Sequence, residues 1–154
     1  DKGRSAALPY ARVLVAVDLR GPCADLVVAA RRAAPGASTE LLHVLGLGEE
    51  IVLRELDASE VALQIYRQHR AQPVRQALDR LLELAGGGRS GCSIRVEFGQ
   101  PGDMILRRAR AFGADLLVLR AARGGWLRRL WGSGVARRVL RRTHCDVLLL
   151  PACT

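Results

Sequence analysis

At 154 residues, 49% apolar and 25% charged, the chain is long enough for one hydrophobic core and too short for two. No apolar run approaches the roughly 20 residues that span a bilayer and no charged-then-apolar leader opens the chain, so a cytoplasmic location is expected. The net charge of +9 rests almost wholly on arginine, Lys2 being the one lysine, and arginine suits bidentate contact with phosphate or carboxylate.

Residues 1–11, DKGRSAALPYA, read as an N-terminal extension or linker, and residues 12–154 as a single domain. The absence of an initiator Met is compatible with a processed or excised piece of a longer protein. RVLVAVD, Arg12 to Asp18, is a continuous apolar run that ends in an acid, the pattern of a strand buried on both faces. Gly21 and Pro22 mark a turn, and ADLVVAARRAA then has helical spacing. After the PGA breaker at Pro35 to Ala37, STELLHVL predicts a second strand.

GLGEEIVLRELDASE reads as an irregular connection, closed by a capping box with Asp57 as N-cap and Glu60 three residues on. A helix is expected from Ala58 to about Ala85, with Val61, Leu63, Ile65, Val74, Leu78, Leu81 and Leu82 inward and a break or kink near Pro73. The triple glycine Gly86 to Gly88 ends it. CSIRVEF alternates and reads as an edge strand. Pro101 then opens a helix, Asp103 complements its N-terminus, and Gly113 stops it. DLLVL (Asp115 to Leu119) and DVLLL (Asp146 to Leu150) are apolar after their leading acids, so helices should cover both faces of their sheet. Between them lie LRAARGGWLRRLWGSGVARR, rich in arginine and devoid of acids, and a helix carrying Val135, Val139 and Leu140.

This alternation predicts an α/β fold: a doubly wound, five-stranded parallel sheet with right-handed crossovers and a ligand crevice at the carboxyl ends of the strands. Between Met104 and Cys145 there are 11 arginines and one acid, Asp115, so that side of the domain should present a cationic surface.

Other chemistries are weakly supported. A Walker loop needs Gly-Lys-Ser/Thr, and GLGEEI lacks a third glycine and sets Glu49 and Glu50 where a pyrophosphate would be repelled. His43, His69 and His144 belong to no GxSxG or HExxH pattern, so structural roles are expected for them and no enzyme is predicted. Cys23, Cys92, Cys145 and Cys153 form no CxxC pair, which favours reduced thiols over a zinc or dithiol site. No helix-turn-helix, RRM or KH signature supports nucleic-acid binding, and the aromatics near the arginines are only Trp126 and Trp131. WLRRLW would suit a membrane surface or a docking site, but its apolar spacing favours cover for the crevice or a dimer neighbour.

RVLVAVD, ELLHVL, GQPGDMILRRARAFGADLLVL and RRVLRRTHCDVLLLP, in that order, resemble the universal stress protein family over nearly the whole chain. The resemblance implies a Rossmann-like sheet of order 3-2-1-4-5, a homodimer joined through the C-terminal strand and, in many members, ATP in the crevice. It implies nucleoside contacts at the acid after the first strand and a Val on the second, which match Asp18 and Val44 here. The family's phosphate loop runs Gly, two residues, Gly, nine residues, Gly, then Ser or Thr. Alignment without gaps puts Arg120 and Arg123 on the first two glycines and Ser133 and Gly134 on the last two positions; sliding the end by one residue recovers Gly132 and Ser133 but puts Leu119 and Ala122 on the two glycines, so neither register restores the motif. A side chain at these positions strains positive φ and fills the volume of a phosphate.

The expectation is therefore a non-enzymatic regulatory or stress-response domain without tight ATP binding by a glycine loop. Two alternatives stay open. One is a sensor that binds ATP, another nucleotide or an anion through Arg120 and Arg123. The other is a cytosolic regulatory or docking domain of a larger, transporter-like protein, meeting an anionic ligand or protein partner at its Arg-rich face.

Overall fold

The computed structural model describes residues 10–19, 21–121 and 135–151. In chain order it comprises β1 (Arg12–Ala16), α1 (Ala24–Ala33), β2 (Ser38–Leu45), α2 (Gly48–Glu55), α3 (Glu60–Leu84), β3 (Cys92–Phe98), α4 (Pro101–Phe112), β4 (Leu116–Arg120), α5 (Val135–Arg142) and β5 (Asp146–Leu150). The strands form one five-stranded sheet of order β3-β2-β1-β4-β5, with every neighbouring pair parallel.

The continuous apolar strands follow from cover on both faces. Alternation sends Val13, Val15 and Val17 to one side, where they pack with Leu41, Leu116 and Val118 under α1 and α3. Leu14 and Ala16 point to the other side, with Leu42, Val44, Leu117 and Leu119 against Ile105 and Ala109 of α4. Each fully buried Leu or Val contributes about 1.5–3 kcal/mol relative to exposure. Val15 pairs with Leu41 and Val118 in register, and β2 continues past Leu42, the partner of Ala16, to Leu45 alongside β3.

Asp115 anchors the start of β1: its carboxylate accepts from the backbone N–H groups of Ala11 at 2.8 Å and Arg12 at 2.9 Å. Gly113 ends α4 in the left-handed region at φ 68, as its position in the sequence predicts. Gly86, Gly87 and Gly88, all at positive φ, turn the chain out of α3.

The segment expected to be irregular contains α2, and its polarity is reversed. Glu50 is buried, while Ile51 and Val52 are each 52% exposed. Glu50 is held by Arg67 at 2.6 and 2.8 Å and by Arg54 at 3.1 and 3.2 Å. The Arg67 hydrogen bonds hold the Glu50 carboxyl below its ordinary value despite the opposing effect of burial. Glu49 accepts from Tyr66 at 2.6 Å and also pairs with Arg70; the Tyr66 bond foremost lowers the Glu49 carboxyl.

Ser59, not Asp57, caps α3, accepting from the Ala62 N–H at 3.2 Å, and Asp57 itself turns through φ 56. The helix also continues through Pro73, whose missing N–H would have met the His69 carbonyl; both residues are exposed, so water can satisfy that carbonyl. Val61 and Ile65, expected inward, are exposed. Arg67 stacks over Phe98, the last residue of β3, so the first turns of α3 lie past the end of the sheet. Among the strands, β4 is buried, but β5 is an edge: Val147, Leu148 and Leu150 are half-buried and Leu149 is exposed.

Candidate functional site

The sheet order changes direction between β1 and β4, so the crevice expected of a doubly wound sheet lies beyond their carboxyl ends. Asp18 follows β1 and is half-buried. The Cys23 Sγ donates to the Asp18 carbonyl at 3.0 Å and the Gly21 carbonyl at 3.2 Å, tightening the turn that leads into α1. His43 Nδ1 lies 2.7 Å from the Val17 carbonyl, tying β2 to the end of β1. That engagement accords with a structural role for His43; His69 and His144 are exposed.

Val44 sits near the end of β2, its side chain buried in the cluster under α4. Arg120 is the last residue of β4, and its side chain is only 15% exposed. Its Nη1 donates to the Pro151 carbonyl at 2.9 Å and its Nη2 to the Pro22 carbonyl at 3.5 Å. The same guanidinium forms an ion pair with Asp25 in the first turn of α1. One side chain thus joins β4, the end of β5, the turn after β1 and the amino end of α1. Arg123, Ser133 and Gly134 lie outside the described residues.

Sequence reasoning missed Asp25, Pro22 and Pro151. Asp25 carried only the signal of an acid complementing a helix N-terminus; its contact with Arg120, 95 positions away, exists only once the sheet has formed. Chemically, a cation beside a helix amino end suits an anion. Here an internal carboxylate already meets that cation, so an incoming anion would compete with Asp25.

A parallel sheet wound on both faces, with its switch point between β1 and β4, defines a Rossmann-like α/β domain. Residues 9–151 match the family model described as "Universal stress protein family". The chain belongs to the universal stress protein family.

Among solved structures, it is similar to a universal stress protein in complex with cAMP, at 24% identity and TM-score 0.58, covering 92% of this chain and 97% of that one. Universal stress protein UspA from Lactobacillus plantarum shares 20% identity at TM-score 0.62, covering 92% and 97%. The universal stress protein from Archaeoglobus fulgidus in complex with dAMP shares 17% at TM-score 0.53, covering 92% and 98%. No curated protein matches the chain.

Proposed function

We propose that this domain is a non-enzymatic regulatory module of the stress-response type, whose crevice does not hold ATP tightly through a glycine loop. The observation that carries this reading is the Arg120–Asp25 ion pair. At the position of the family's first loop glycine stands a guanidinium joined to Asp25, Pro22 and Pro151. A phosphate seeking that space meets the Arg120 side chain and then a competing carboxylate. In this reading Asp18, Val44, Arg120, Arg123, Ser133 and Gly134 line a remodelled crevice, and residues 12–154 act as one cytoplasmic domain after an extension of 1–11. Among the described residues no helix is long and apolar enough to cross a membrane. The half-open β5 edge, with Leu149 outward, supports pairing of two copies through the C-terminal strand.

A second reading is favoured by the structural neighbours with bound cAMP and dAMP: a nucleotide sensor in which Arg120 and Arg123 grip the phosphate from their side chains. Calorimetric titration with ATP, AMP and cAMP separates the two. The regulatory reading expects no saturable binding below about 1 mM. Micromolar binding that disappears in Arg120→Ala or Arg123→Ala would overturn it in favour of the sensor.

A further inference from the structure

Away from the crevice, a groove of about 560 Å³ runs along α4 beside α5, lined by Asp103, Leu106, Arg107, Arg110, Ala111 and Arg142. Arg107, Arg110 and Arg142 are exposed, and among the described residues no carboxylate forms a salt bridge with any of them. The contrast within α4 is informative. Arg108, one position along, turns inward to the nearly buried Glu40 and stacks over Phe112, so its charge is neutralised inside the fold. Arg107 and Arg110 instead project into the groove, where Arg142 joins them from a helix that carries no acid in its first turn.

We propose that this groove docks an acidic, partly apolar peptide segment of a protein partner. Three guanidiniums against one carboxylate make the groove cationic, while Leu106 and Ala111 supply an apolar floor that a purely ionic ligand would not need. Asp103 gives the groove a direction, because the end of the segment over Asp103 must be free of acids. That feature disfavours a nucleic-acid strand, whose phosphodiester charge recurs at every nucleotide, and among the described residues the lining has no aromatic ring on which a base could stack. The inference deepens the reading that the Arg-rich side meets an anionic partner, and it is independent of whether the crevice holds a nucleotide.

The test is fluorescence anisotropy with a labelled peptide of roughly 12 residues alternating Glu and Leu, long enough to span the groove when extended. Its Gln-for-Glu counterpart and a single-stranded DNA of similar charge serve as comparisons. The groove variant is Arg107→Glu with Arg110→Glu and Arg142→Glu. The control with the same net charge is Arg32→Glu with Arg75→Glu and Arg80→Glu, exposed positions on α1 and α3 across the sheet. The peptide is expected to bind wild type and to lose at least about tenfold in the groove variant, against less than about threefold in the control. Equal losses in the two variants, no binding to wild type, or DNA binding as tight as the peptide would each overturn the proposal. Urea midpoints of all three proteins establish that they are folded, and ATP titration of the same samples reports separately on the crevice.

Discussion

Replacing Asp25 by Ala should raise the affinity of the crevice for phosphate-bearing ligands. The ion pair it removes lies between two limits: Asp25 is 51% exposed, but Arg120 only 15%. Fully exposed pairs contribute about 0–1 kcal/mol, and breaking a buried one costs about 3–5 kcal/mol, so about 1–2 kcal/mol is reasonable here. If an incoming anion must first displace Asp25, removing that competition tightens binding by the same free energy, about 5- to 30-fold. Asp25→Asn keeps a neutral acceptor near Arg120 and should fall at the lower end. Both variants should lose stability, by the pair itself and by about 0.3–1 kcal/mol for the lost acid in the first turn of α1. Calorimetry with ATP and pyrophosphate reads the affinity, and urea unfolding reads the stability. The double variant Asp25→Ala with Arg120→Ala should forfeit the gain. If Asp25→Ala is folded and less stable, yet binds neither ligand more tightly than wild type, Asp25 does not occupy the anion's place.

The Glu50 network gives a pH signature. Because its folded carboxyl is lowered, chiefly by the Arg67 hydrogen bonds, its stabilisation is present above the unfolded value of about 4.3 and is lost as pH falls through the folded one. Glu50→Gln should therefore cost about 1–3 kcal/mol at neutral pH and progressively less below about pH 4, read from urea midpoints across that range; an undiminished gap at pH 3 would contradict the ionised hub. At the β5 edge, Leu149→Lys should shift the protein from dimer to monomer in size-exclusion chromatography with light scattering, with a dimer dissociation constant at least about tenfold higher. A monomeric wild type at all accessible concentrations would refute pairing through that edge.

The sheet and its helices were legible wherever local pattern and tertiary environment agree. RVLVA, DLLVL and DVLLL read as strands, and β1 and β4 proved sealed on both faces. Pro101, Gly113 and the triple glycine set their boundaries through backbone chemistry that operates within a few residues. The alternation of strands and helices gave the place of the crevice, and the resemblance added the strand order. α2 was illegible because its one nearly buried side chain is a carboxylate, stabilised by Arg67 from the next helix, so its apolar residues gave no inward stripe. Pro73 suggested a break, yet the helix continues because the orphaned carbonyl faces outward.

At the candidate site the division is the same. Aligned without gaps to the family it resembles, the sequence supplied only the expectation that arginine stands where the family has glycine, which would change both the allowed backbone and the free volume. Only the tertiary structure decided where the Arg120 guanidinium goes. Its partners come from the turn after β1, from α1 and from the end of β5, and no local rule brings them together. Long-range electrostatic pairing depends on which strand ends lie side by side, and sheet formation sets that adjacency.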